Sequence, residues 1–159
     1  KTLLFDVDGV LTNGQVLLME NGEFVRNMNS KDGYALQLAV KKGYRIGIIT
    51  GGNSQTVKKE LESLGIEDIF LAQHDKLQCY KDYINEHSLN EEEILYMGDD
   101  LPDYEVMKRV GLAVCPFNSA HEIKEICLYI SSRNGGEACV RDIIEQVMRS
   151  QGTWEITGW

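Results

Sequence analysis

A chain of 159 residues with 43% hydrophobic and 26% charged side chains is long and apolar enough for one full core, which excludes a disordered polypeptide. A formal net charge of −9 argues against a nucleic-acid partner, because phosphate backbones select for lysine and arginine. It leaves room for a small phosphorylated substrate held by a local cation or a metal. No apolar run reaches the length of a membrane span, and no signal-peptide pattern occurs. Cys79, Cys115, Cys127 and Cys139 lack CxxC or Cys/His ligand spacing, so they read as small core residues of a reducing, cytosolic compartment.

In chain order, Thr2-Leu3-Leu4-Phe5-Asp6-Val7-Asp8-Gly9 is an apolar run that ends in two acids and a glycine, the pattern of a buried parallel strand closed by a turn. Gln15–Met19 and Glu23–Arg26 flank Asn21-Gly22 and predict a hairpin. A helix is expected over Lys31–Lys42, then a strand over Tyr44–Ile49 ending in Thr50-Gly51-Gly52. Ser54 reads as the N-cap of a helix running to Leu64, with Gly65 closing it. The alternation continues with strand Asp68–Leu71, helix Lys76–Glu86 and strand Glu93–Met97, which ends in Gly98-Asp99-Asp100. Helix Tyr104–Arg109, strands Gly111–Val114 and Leu128–Ile130, and helix Ala138–Arg149 complete the pattern. Such alternation predicts an α/β fold, a doubly wound, Rossmann-like parallel sheet forming one domain over 1–159, with a hairpin flap at 14–28. The 150–159 tail is polar except for Trp154, Ile156 and Trp159, which suggests docking onto this subunit or a neighbour.

Aspartate is a poor strand former and an unpaired buried charge is costly, so acids at strand ends need a reason. Those of strand one, Asp6 and Asp8, lie along the same sheet edge as Thr50, Lys76 and the Gly98–Asp103 run. A strand end whose acids merely cap the next helix is the competing reading. Taken together, two converging acidic clusters make a hard-cation site suited to Mg²⁺, while a hydroxyl and a lysine opposite suit a phosphate. The implied chemistry is phosphoryl transfer. Asp6 attacks phosphorus and forms an aspartyl-phosphate, and Asp8 protonates the leaving oxygen and then activates water.

DVDGVLT, ITG, the Lys76 segment and GDDLPD resemble, in order, the four motifs of the haloacid dehalogenase superfamily of phosphatases. Only 44 positions separate Asp6 from Thr50 and 23 separate Lys76 from Asp99, which resembles the capless subgroup. The Asn21-Gly22 hairpin, Asn29–Tyr34 and Gly135–Asp142 further resemble the 3-deoxy-D-manno-octulosonate 8-phosphate (KDO 8-phosphate) phosphatases. The resemblance implies catalytic Asp6, Asp8, Thr50 and Lys76, and Mg²⁺ held by Asp6, the Asp8 carbonyl and Asp99. Asp100 and Asp103 would support the ion. Asp8, Gly51, Gly52 and Lys76 would meet the substrate, and Asn29, Ser30, Lys31, Asp32 and Gly33 would line a sugar-acid pocket. It also implies a homotetramer in which hairpins pair and tails reach neighbouring sites.

Three positions depart from that pattern: Gly52, Glu60 and Glu137 stand where the family usually has arginine. Lys31, Lys58, Lys59 or Arg141 would have to replace the lost donors to a sugar carboxylate. The nearest competing substrates are 2-keto-3-deoxynononate 9-phosphate and N-acylneuraminate 9-phosphate. A response-regulator receiver would place its adjacent acid pair on the first strand, not the fourth. A catalytically silent assembly domain would not need the full set of side chains. His74, His87 and His121 are scattered and read as surface residues.

Overall fold

The computed structural model describes residues 1–156. Six strands form one all-parallel sheet: β1 (Thr2–Phe5), β4 (Arg45–Ile49), β5 (Asp68–Phe70), β6 (Ile94–Met97), β7 (Leu112–Cys115) and β8 (Tyr129–Ile130), in the spatial order β5-β4-β1-β6-β7-β8. Two antiparallel two-residue strands, β2 (Leu17–Leu18) and β3 (Phe24–Val25), make the separate hairpin. The helices are α1 (Ser30–Lys41), α2 (Gln55–Ser63), α3 (Lys76–Glu86), α4 (Tyr104–Met107), α5 (His121–Ile126) and α6 (Cys139–Ser150).

Strand periodicity splits the core into two layers. Leu3 and Phe5 face α1, α2 and α6, where Leu36, Leu61 and Ile144 are fully buried. Leu4, one residue out of phase, faces α3, α4 and α5, where Tyr80, Val106 and Ile123 are fully buried. Each such side chain contributes about 1.5–3 kcal/mol by leaving water. Gly47 gives Leu4 its room, since a Cβ there would stand 2.7 Å from Leu4 Cδ2 and force that side chain to move. Among the described residues, no helix is long and apolar enough to cross a membrane.

Several boundaries follow the capping chemistry. Asn29 accepts from Lys31 N–H at 2.9 Å, and Ser54 accepts from Val57 N–H at 3.3 Å. The predicted hairpin forms, but with two residues per strand rather than four or five, and its side chains Leu17, Leu18, Phe24 and Val25 are exposed. Helix α5 was not expected from the sequence; it is short, and only Ile123 is buried. The predicted helix over Tyr104–Arg109 ends at Met107. All four cysteines are free thiols, two of them buried and two half-buried. Trp154 docks on its own chain, edge-on to Tyr34 at 6.5 Å, with the Arg141 guanidinium 4.6 Å from its ring centre. Trp159 lies outside the described residues.

Candidate active site

Strand order reverses between β1 and β6, and ligands of open α/β sheets bind at such a switch point. Phe5 is level with Ile48 and with Met97, so Asp6, Thr50 and Asp99 leave the sheet side by side. A cavity of about 420 Å³ opens there. It is lined by Asp6, Asp8, Thr50, Gly51, Gly52, Lys76, Asp99, Asp100 and Asp103, all singled out from the sequence.

Local backbone geometry sets the side chains. Asp6 continues β1, donating its N–H to Met97 at 3.0 Å. The chain then makes one wide turn, closed by Thr12 N–H to the Val7 carbonyl at 3.0 Å. Gly9 sits in this turn at φ +84°, and a Cβ there would overlap the Asp99 carboxylate. The Asn134-Gly135-Gly136 loop braces the turn from outside: Gly136 N–H donates to the Val10 carbonyl at 3.0 Å, and Gly135 packs on the Gly9 carbonyl too closely for a side chain. Sequence reading gave that double glycine no structural role; the paired glycines were the signal.

Charge is concentrated and only partly matched. Lys76, buried at the start of α3, donates to Asp6 Oδ2 at 2.8 Å and to Asp103 Oδ1 at 2.7 Å. Burial pulls the Lys76 ammonium down, but the two carboxylates outweigh it and the net direction is up. Asp103 also accepts from Tyr96 Oη at 2.7 Å and from Asp99 N–H at 3.1 Å. Burial and the charge of Asp103 push the Asp6 carboxyl up to about 7 against the pull of Lys76. Burial, then the charges of Asp6, Asp103 and Asp100, push Asp99 up to about 7 as well. Oxygens of Asp6, Asp99 and Asp103 lie within 4.8 Å of one another. Among the described residues no donor reaches the Asp99 carboxylate. Crowded, buried, hard oxygen donors with too little positive charge fit a small divalent cation. Thr50 is buried, and its Oγ1 accepts from Gly52 N–H at 3.2 Å, which leaves its proton free to donate into the cavity.

Arg26 escaped sequence reading. Its Nε donates to Asp8 Oδ1 at 2.7 Å and its Nη2 to Asp8 Oδ2 at 3.1 Å. It lies on the hairpin, 18 positions from its partner, and no motif marks it. Gln73 and His74 also line the cavity; His74 is exposed on a loop, as expected, but that loop forms the rim.

The predicted sugar pocket does not join this cavity within the chain. Asn29, Ser30 and Gly33 line a separate space of about 460 Å³ that also contains Glu60. Lys31 lines neither. Asp32 is 1% exposed and accepts from Arg141 N–H at 2.7 Å, tying α1 to the start of α6; burial pushes its carboxyl up to about 6. Within the single chain Asp32 is therefore packed against a helix start, with its Oδ2 left without a hydrogen-bond partner. Arg141 is committed to Glu145 at 2.9 Å and to the Trp154 ring, so it does not replace the missing arginines; Glu137 is paired locally with Asn134 at 3.3 Å.

A family description, haloacid dehalogenase-like hydrolase, matches residues 66–143. The chain is 32% identical to the 3-deoxy-D-manno-octulosonate 8-phosphate phosphatase of Escherichia coli K12, over 96% of this chain and 81% of that protein. It is similar to the crystal structure of a probable YrbI family phosphatase from Pseudomonas syringae (37% identity, TM-score 0.93, covering 96% of this chain and 87% of that one). It is also similar to the 3-deoxy-D-manno-octulosonate 8-phosphate phosphatase of Moraxella catarrhalis, solved with magnesium, phosphate and KDO (30% identity, TM-score 0.92, covering 96% and 87%). With the four strand-end motifs gathered on one cavity, these likenesses place the chain in the haloacid dehalogenase-like hydrolases, and it belongs to their 3-deoxy-D-manno-octulosonate 8-phosphate phosphatase family.

Proposed function

We propose that the chain is a Mg²⁺-dependent phosphomonoesterase that hydrolyses a sugar-acid phosphate, 3-deoxy-D-manno-octulosonate 8-phosphate first among them, to the free acid and phosphate. The observation that carries this reading is the meeting of Asp6, Asp99 and Lys76 at the sheet's switch point, beside Thr50 and Asp8. Asp6 is the nucleophile: as its oxygen bonds to phosphorus, the ester P–O bond breaks, and Asp8 gives a proton to the leaving alkoxide. Asp8 then takes a proton from water as that water attacks phosphorus and the Asp6–phosphorus bond breaks. Thr50 and Lys76 hold the phosphoryl oxygens and stabilise their charge, each contribution of this kind being worth roughly 10²–10³ in rate. Asp6, Asp99 and the Asp8 carbonyl hold the cation, with Asp100 and Asp103 in support; when bound, Mg²⁺ supplies the positive charge that the carboxylates lack. Gly51 and Gly52 leave the cavity open to the sugar. Of the five predicted pocket residues, Asn29, Ser30 and Gly33 remain candidates through their own cavity.

The enzyme acts in the cytoplasm as one domain over 1–159, with 14–28 as a flap. It assembles as a homotetramer, in which the exposed Leu17, Leu18, Phe24 and Val25 are covered by neighbouring hairpins. Steady-state kinetics against a panel of ulosonic acid phosphates, with and without a chelator, tests the reading. The eight-carbon acid is expected to give the highest kcat/KM, with activity lost on Mg²⁺ removal; a higher value for 2-keto-3-deoxynononate 9-phosphate would reassign the substrate.

A further inference from the structure

Beside the reaction cavity lies a second, of about 720 Å³, between the hairpin and the start of α2. The two share Asp8, Gly51 and Gly52. Among the described residues, Lys76 is the only lysine or arginine lining the first cavity and Arg26 the only one lining the second. Lys31, Lys58, Lys59 and Arg141 line neither, and Lys58 faces Glu62 at 3.7 Å.

The Arg26 side chain is 8% exposed, and both of its bonds to Asp8 run to different carboxylate oxygens. A guanidinium fork of this kind binds one carboxylate at a time with full geometry. While it binds Asp8, both Asp8 oxygens accept from the guanidinium, although the Asp8 side chain lines the reaction cavity and is 33% exposed. Gly52 leaves room beside the pair: a Cβ there would stand 3.1 Å from Arg26 Nη2 and 3.3 Å from Asp8 Oδ2, so both side chains would have to shift by a few tenths of an ångström. A sugar-acid phosphate carries its carboxylate at the end opposite the phosphate. With the phosphate among Asp6, Thr50 and Lys76, the sugar body leads past Asp8 and Gly52 into the second cavity.

We infer that Arg26 recognises the substrate's carboxylate by exchanging it for that of Asp8. Arg26 is thus the specificity-determining residue, and Asp8 is fully freed for the leaving oxygen when an acid-bearing substrate has taken its place. This inference rests on the sugar-acid phosphate reading and assigns the group that selects that class.

The test compares kcat/KM for an ulosonic acid 8-phosphate, its C1 amide and p-nitrophenyl phosphate, using the Mg²⁺-loaded wild-type protein and Arg26→Gln. The wild type is expected to prefer the acid to the amide by about a hundredfold, the scale of a lost charge-assisted bidentate pair. In Arg26→Gln the acid-to-amide ratio should collapse to within a few-fold of one, while hydrolysis of the aryl phosphate rises several-fold because Asp8 is untied. A wild type without preference, or a variant that keeps the full ratio, overturns the inference. A residue that merely props the hairpin would lower both sugar substrates together and leave the ratio intact. If the wild type hydrolyses the aryl phosphate and none of the ulosonic acid phosphates, the substrate reading has failed before Arg26 is reached.

Discussion

The sheet edge and the hairpin are built on opposite principles. At the edge, Asp6, Thr50, Lys76 and Asp103 are each 7% exposed or less, and their hydrogen bonds run between neighbouring strand ends and α3. In the hairpin, the four apolar side chains of the two strands and Met19 at the turn face solvent, and only two residue pairs join the strands. At the edge a low-dielectric surrounding strengthens every bond made there and makes every unmatched charge costly. The hairpin gains nothing from its own core and draws order from what it touches, Asp8 through Arg26 within the chain. Chemistry is thus placed on the sheet, and the selection we infer for Arg26 is placed on the exposed two-residue ladder.

The sharpest way to break this contrast is to disable the edge. Asp6→Asn keeps the shape and removes the nucleophile, so phosphatase activity should fall by about 10⁴-fold or more. The fold should survive, because the substitution also removes a buried acid that burial and Asp103 disfavour. Single-turnover kinetics and a thermal melt on the same sample check both halves. Lys76→Met comes next. It leaves Asp6 and Asp103 without their shared cation, and removing one member of a buried charge group costs about 3–5 kcal/mol. A clear drop in Tm without Mg²⁺, partly restored by Mg²⁺, is the expected signature, and an unchanged Tm would show that the edge is less tightly coupled than its distances imply.

These two regions also differ in how far the sequence discloses them. Asp6, Asp99 and Asp103 stand out because acids interrupt apolar strands, and the sheet must bring such ends together; Lys76 follows from its order among them. Arg26 is invisible for the opposite reason. Its aim depends on how a two-residue ladder projects a long side chain across 18 positions of chain, which no period records. Asp32 misleads in the same way: an acid in the first turn of a helix looks available to a ligand, and only the packing of α1 on α6 shows it committed to Arg141 N–H. Helix α5 was missed because its single buried residue, Ile123, sets up no repeat.

Proton and metal compete at the edge, and the sign of that competition can be worked out. Asp6 and Asp99 are raised from an ordinary 3.8 to about 7, so in the metal-free protein they are penalised when ionised. That penalty is absent below about 4, grows as pH rises toward 7 and is complete above it. Mg²⁺ offsets it by favouring the ionised forms, so the Tm gain on adding Mg²⁺ should increase from pH 5 to pH 8, with protons released on binding near neutrality. Calorimetry in buffers of different ionisation enthalpy measures that release, and a metal-induced Tm gain independent of pH would contradict the assignment of these two acids.

The smallest effect on the individual fold should come from the hairpin, and its smallness is informative. Leu18 is 69% exposed and Phe24 58%, and they pair across the ladder without joining either core layer. Leu18→Ser with Phe24→Ser should therefore change the stability of the single chain by no more than about 0.5 kcal/mol, as for other surface positions. The same change should weaken association, because apolar area that water covers in the monomer is what a neighbouring hairpin would bury. Sedimentation of the double variant against the wild type separates the two quantities. A loss of chain stability comparable to that of Lys76→Met would mean that the hairpin is a structural part of the edge after all, and the division between a buried reaction centre and an exposed hairpin would fail.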